Sequence, residues 1–192
     1  MRLKSDYESM RELNGSVISW KPISQFDMAK NIYPDKYEVT FNILAPTTSG
    51  DSRQHILTID CSSPSYPNSD PAVRFITPPV MHPHIYEDQR VCIGHFGLGE
   101  SLAAFCVRLA RFIQFDPLMI NNGSIASSRF NSWYRANIGR FPMDRSPLPS
   151  IGLDGPPITF GQVRQRSAAP APQPPTTAPV AFHVNRRSDT QG

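Results

Sequence analysis

Apolar positions change their spacing along this chain, and each change marks a different kind of element. Leu3, Tyr7, Met10 and Leu13 recur at steps of four and three, which predicts one face of an amphipathic helix ending near Asn14-Gly15. Val17 to Trp20 is short and mixed. Tyr37, Val39, Phe41 and Ile43 then alternate with Glu38, Thr40 and Asn42, the pattern of a half-buried strand. A turn-rich stretch from Ala45 to Asp51 follows, then a second β-type run from His55 to Cys61 and a third from Ala72 to Ile76, bounded by prolines. Between Pro78 and Leu98 no period survives. Leu102, Phe105, Leu109 and Ile113 restore a helical period, with Ser101 as its expected cap and Asp116-Pro117 as its end. After the turn signal Asn121-Asn122-Gly123, the stretch Ile125 to Ala136 predicts a last helix. The order reads as α+β: a helix, about four strands in an antiparallel meander with one face covered, a long irregular loop expected to lie outside the core, and two helices.

Proline sets the expected domain limit. Half of the 20 prolines follow Arg140, and the segment from Ala169 to Pro179 shows neither period. A chain of that composition cannot bury enough apolar area to offset its ordering entropy. The expected division is therefore a folded domain over 1–140 and an extended, Pro-rich, largely disordered tail over 141–192. Phe141, Ile151, Leu153 and Phe160 are candidates to pack along the domain as an arm.

Charge and cysteine content narrow the function classes. Nineteen Lys and Arg against 16 Asp and Glu give a net charge of +3, with no basic run, so a nucleic-acid partner is not expected. The apolar stretch Leu102 to Ile113 is interrupted by Arg108 and Arg111, and no membrane span is expected. The opening residues MRLKSDYESM lack the apolar core of a secretory signal. Three cysteines without framework spacing predict reduced thiols and a cytoplasmic protein.

The candidate chemistry lies in the aperiodic segment. Met81-His82-Pro83-His84 is followed by Val91-Cys92-Ile93-Gly94-His95. A thiol in an irregular, glycine-flanked loop can stand free, whereas Cys106 sits on the apolar side of a helix and Cys61 at a strand end, both expected to be structural. Read together, Tyr66-Pro67, Pro71, Val73, Phe75, Thr77, His82-Pro83 and Cys92 resemble the signature of the ubiquitin-conjugating (E2) family. That family carries Tyr-Pro, Phe-x-Thr, His-Pro-Asn and, eight residues after the Asn, a catalytic Cys; the step from His84 to Cys92 is also eight. The resemblance spans about residues 1–137 and implies a UBC-like fold.

What the resemblance implies is covalent catalysis. Cys92 would accept the C-terminus of a ubiquitin-like protein from an E1-like activating enzyme as a thioester, which an amine on a protein target then attacks. Tyr66-Pro67 and His82-Pro83 would form the structural loop of the site. His84 stands where the family has Asn; with one N–H donor in its neutral form it would either stabilise the oxyanion or brace the loop. His95 would either act on the thiol or the amine, or be a surface loop residue. Asp116, Asn121 and Asn122 are the acceptor-side candidates. The family's Trp after the Cys is missing, and Asn68 replaces the aromatic that meets RING-type ligases. These departures resemble the divergent E2-like proteins of bacterial ubiquitin-like conjugation operons. Such operons often encode a JAB-type peptidase and several act in antiphage defence. No cofactor is implied. The rival readings are a catalytically inactive E2-variant binding module, a Cys-His hydrolase, and a zinc site built from His82, His84, Cys92 and His95.

Overall fold

The computed structural model describes residues 2–13 and 15–151. Asn14, Leu153, Phe160 and the Pro-rich stretch therefore lie outside the described residues. The element order is α1 (Arg2–Met10), β1 (Ile18–Pro22), β2 (Lys36–Thr47), β3 (Gly50–Asp60), β4 (Ala72–Phe75), α2 (Leu102–Ile113) and α3 (Ser128–Ala136). The four strands form one antiparallel sheet in sequential order β1-β2-β3-β4. The molecule is thus a mixed α/β fold with an N-terminal helix and a four-stranded antiparallel meander.

The alternation in β2 does what its period dictates. Tyr37, Val39, Phe41 and Ile43 are fully buried, as are Leu57 and Ile59 opposite them on β3. Helix α2 covers this face with Leu102, Phe105, Leu109, Phe112 and Ile113, and its N-terminus is capped by the Ser101 hydroxyl accepting from the Ala104 amide. Each large apolar side chain buried in this layer contributes on the order of 2 kcal/mol. Helix α1 packs on α2, where the Cys106 thiol meets the Met10 sulfur at 3.7 Å.

Three boundaries differ from the sequence reading. The expected turn over Ala45–Asp51 shrinks to Thr48-Ser49, because Thr47 Oγ1 donates to the Gly50 carbonyl and accepts from the Ser49 amide, and Gly50 takes φ +112°. Strand β2 runs on through a bulge between Asn42 and Ala45. There the Leu44 amide donates to Asp144 and His55 Nε2 bonds the Ile43 carbonyl, so backbone groups lost from the ladder find side chains instead. The last helix begins at Ser128, not Ile125. The Ala126 and Ser127 amides both donate to the Pro83 carbonyl, and Ser127 then caps the helix through the Phe130 amide.

The aperiodic stretch is not outside the core. Val80, Met81, His82, His84, Ile85, Ile93 and Phe96 are all buried. Its start pairs with the end of β2 through the Met81 amide and the Pro46 carbonyl. Residues 89–91 lie along β4: the Phe75 amide donates to the Gln89 carbonyl and the Val91 amide to the Val73 carbonyl. The loop therefore covers the open edge of the sheet, a place that otherwise templates aggregation. Past α3, Phe141 stacks on Phe115 at 4.1 Å between ring centroids, and Leu148 and Ile151 also rest on the core. Among the described residues no helix is long and apolar enough to cross a membrane.

Candidate active site

The spacing of eight between His84 and Cys92 has a backbone cause. The Cys92 amide donates to the His84 carbonyl at 2.8 Å, Ile85 and Val91 bridge, and the Tyr86 amide donates to the Arg90 carbonyl at 2.9 Å. The pairs step inward one residue on each side until the Tyr86–Gln89 turn closes the hairpin, with Gln89 at φ +70°. Side chains alternate across such a pair. Ile85 is buried in the core, which places His84, Tyr86, Arg90 and Cys92 together on the opposite face.

Cys92 is the half-exposed cysteine of the three; Cys61 and Cys106 are buried. Burial pushes the Cys61 thiol up to about 12 and the Cys106 thiol up as well, so both stay protonated and inert at neutral pH. Beneath Cys92 lies a cavity of about 70 Å³ lined by His84, Ile93, Gly94, Phe112, Met119, Asn121 and Ser124. Gly94 takes φ +81°, which only glycine adopts at no steric cost, and so the chain turns away directly after the thiol. A larger hollow of about 550 Å³ lies between α1, Tyr33 and Cys61 and shares no lining residue with the first.

The histidines separate by environment. His82 is fully buried against Phe112, at 3.7 Å between centroids, and against Phe115. Burial holds its pKa well below the ordinary value, and its neutral Nδ1 accepts from the His84 amide. His84 is buried too, and its pKa is lowered for the same reason. Its Nε2 accepts from the Asn121 amide at 2.9 Å, so the proton of the neutral ring sits on Nδ1, where the Ser124 backbone supplies a second partner. The ring thereby ties the hairpin to the 121–124 turn. His95 is exposed by 71%, does not line the Cys92 cavity, and places Nδ1 2.8 Å from Asp70 Oδ1.

The other expected site residues disperse. Asp116 caps the short helical turn Pro117–Met119 through the Leu118 amide and pairs with Arg111 at 3.3 Å, with no place at the cavity. Asn121 lines the cavity and closes the turn through the Gly123 amide, whereas Asn122 is exposed beside it. Tyr66, on a cis bond to Pro67, faces α1: its hydroxyl donates to Asp6 at 2.7 Å and its ring stacks on Phe96. Pro83 acts through its carbonyl, as above. The four proposed zinc ligands do not converge: His82 lies among phenylalanines and His95 beside Asp70. Among the described residues no group of three or more His, Cys, Asp or Glu side chains is arranged to hold a metal ion.

Two residues that the sequence reading did not single out shape the site. Arg108 on α2 is only 3% exposed at its side chain. Its guanidinium donates to the carbonyls of Ile93 and His95 and grips Glu100 with two bonds of 2.9 and 2.7 Å. An arginine within the apolar run LAAFCVRLARF is the signal that marks it. Tyr86 is the second. It lies diagonal to Cys92 on the same face of the hairpin, and Arg90 lies 5.1 Å over its ring.

No protein-family model and no curated protein matches the sequence. Among solved structures, the chain is similar to human ubiquitin-conjugating enzyme E2 G1. Identity is 17% over 60% of this chain and 93% of that one, with a TM-score of 0.45. It is also similar to a structure described as a novel ubiquitin-conjugating enzyme, with 25% identity over 58% of this chain and 71% of that one and a TM-score of 0.45.

Proposed function

We propose that this protein is an E2-like conjugating enzyme. In this reading Cys92 accepts the C-terminal acyl group of a ubiquitin-like protein from an E1-like enzyme and passes it to an amine on a protein target. The observation that carries the reading is the position of Cys92: a half-exposed thiol at the mouth of a small cavity, at the base of a hairpin, in a chain whose other two thiols are buried. The Tyr-Pro, Phe-x-Thr, His-Pro and Cys pattern supports it from the sequence side. The order of helix, four-stranded meander, long loop and two helices supports it from the fold side.

The chemistry needs little from the protein. A thiolate is a strong nucleophile toward a thioester, and the thioester it forms is labile to amines. The cavity side of Cys92 is walled by His84 and Asn121, which hold each other and leave the outer side open to a partner. A bacterial ubiquitin-like conjugation operon with a role in antiphage defence, including a JAB-type peptidase, is the setting that the sequence departures favour.

The test uses the full chain with the E1-like enzyme and the ubiquitin-like protein encoded beside it, plus ATP. An adduct lost on treatment with dithiothreitol is expected. A competent E1-like partner that forms its own thioester yet never transfers it would favour the inactive binding module instead.

A further inference from the structure

A tetrahedral intermediate on Cys92 carries a negative oxygen two bonds from Sγ, and something must face it. His84 is badly placed for that task. Its Nε2 is occupied as an acceptor from the Asn121 amide, its neutral ring has one proton, and the Ser124 backbone faces the nitrogen that holds it. The Asn121 backbone amide is spent on the same bond, and Asn121 Oδ1 accepts from the Gly123 amide. The Cys92 amide is spent on the His84 carbonyl. His95 is held by Asp70.

Tyr86 presents a neutral donor on the hairpin face that bears the thiol. The hairpin register sets Tyr86 two residues beyond His84 and diagonal to Cys92, on the same side of the ribbon. The ring is not left to wander. Arg90 lies across it at 5.1 Å and is itself fixed by Asp88, whose carboxylate accepts from Nε at 2.6 Å and from the Arg90 amide at 3.2 Å. Cation–π attraction between the guanidinium and the ring holds the phenol in place.

We infer that Tyr86, not His84, is the oxyanion donor of the acyl-transfer reaction at Cys92, with Arg90 and Asp88 as the residues that position it. The inference rests on the reading of Cys92 as the acyl-carrying nucleophile. In the step, the Cys92 thiolate attacks the thioester carbon, a new C–S bond forms, and the carbonyl electron pair moves onto oxygen. The Tyr86 O–H donates a hydrogen bond to that oxygen and keeps its proton. Collapse restores the carbonyl and breaks the old C–S bond, and the departing sulfur leaves as thiolate. Amine attack passes through the same oxygen, and the amine loses its proton to water. The phenol is held above the ordinary tyrosine range, first by its hydrogen bond with Cys92, so it stays protonated throughout the neutral range.

The test compares two reactions of one sulfur in the full-length protein. Acylation by a small Gly-Gly thioester of mercaptoethanesulfonate builds an oxyanion. Alkylation by iodoacetamide, a displacement at saturated carbon, does not. Tyr86→Phe is expected to slow acylation at Cys92 about tenfold, less than the roughly hundredfold cost of losing a donor in a water-excluded oxyanion hole, because Tyr86 is 38% exposed. Its alkylation rate and melting temperature should stay within twofold and about 2 °C of the parent. Arg90→Ala should give a smaller loss of the same selective kind. Equal acylation rates in parent and Tyr86→Phe would overturn the inference, and so would equal slowing of both reactions, which marks a thiol effect. A selective acylation loss in His84→Ala exceeding that of Tyr86→Phe would hand the oxyanion to His84. A parent protein acylated elsewhere, or not at all, would defeat the Cys92 reading itself.

Discussion

Two antiparallel hairpins of this molecule, β2–β3 and His84 to Cys92, are held together in opposite ways. The long one, β2–β3, is stabilised by what it buries: alternate residues enter the core and the ladder follows. The short one, His84 to Cys92, leaves Tyr86 and Arg90 exposed and Cys92 half-exposed, and buries Ile85 and His84. It is fixed from outside itself, by Arg108 below, by His82 at its root, and by Ser127 donating to Glu87 at 3.1 Å. A ladder that must present chemistry to solvent cannot also bury its own faces, so buried polar anchors replace apolar contact. That division locates the site on a ribbon whose stability is borrowed.

The comparison breaks most visibly if its largest anchor is removed. Arg108→Met leaves Glu100 and two loop carbonyls without their donor, and breaking a buried pair in this way costs about 3 kcal/mol or more. Urea unfolding measures it, and a loss under about 1 kcal/mol would show that the loop does not depend on α2. His82→Ala removes a ring packed between Phe112 and Phe115 and should cost about 2–4 kcal/mol. A comparable change on the long hairpin, Leu57→Ala, should cost as much but leave the iodoacetamide reactivity of Cys92 unchanged, whereas His82→Ala should alter it.

Acid sharpens the same contrast. His55, His82 and His84 are neutral in the fold because burial depresses them below the ordinary 6.5. Unfolding restores their proton affinity, so the unfolded chain binds more protons below about pH 6.5. Stability is therefore whole above that value and falls as pH drops, by at most about 1.4 kcal/mol per pH unit for each histidine. Urea midpoints at pH 7 and pH 5 should show the fall, and His82→Leu should make it shallower; an equal slope in that variant would remove His82 from the account. The smallest effect is expected at His95. Its exposed pairing with Asp70 predicts that His95→Ala changes stability by less than about 0.5 kcal/mol and acylation of Cys92 by less than twofold.

The sequence disclosed these two hairpins unequally, for a physical reason. Periodicity reports a residue that faces the core from a regular element, so Tyr37 through Ile43 and Leu102 through Ile113 were legible. It carries no information about a partner distant along the chain. Nothing local says that Pro83 would receive the amides of Ala126 and Ser127, or that Asp144 would fill the bulge at Leu44. Cys92 was singled out by its motif and its glycine-flanked surroundings, and its half-exposed thiol agrees with the expectation of a loop cysteine that can stand free. Tyr86 was not, because its relation to the thiol exists only once the hairpin register sets both on one face. His95 looked close to the sulfur along the chain, but its ring pairs with Asp70 instead.

The central claim is that one sulfur carries the acyl group. The direct measurement is peptide mapping of the adduct that Cys92→Ser forms with the E1-like partner, the ubiquitin-like protein and ATP. The account predicts a slowly formed ester at residue 92 that survives dithiothreitol. A reducible adduct persisting in that variant at parental yield, on Cys61 or Cys106, would contradict it.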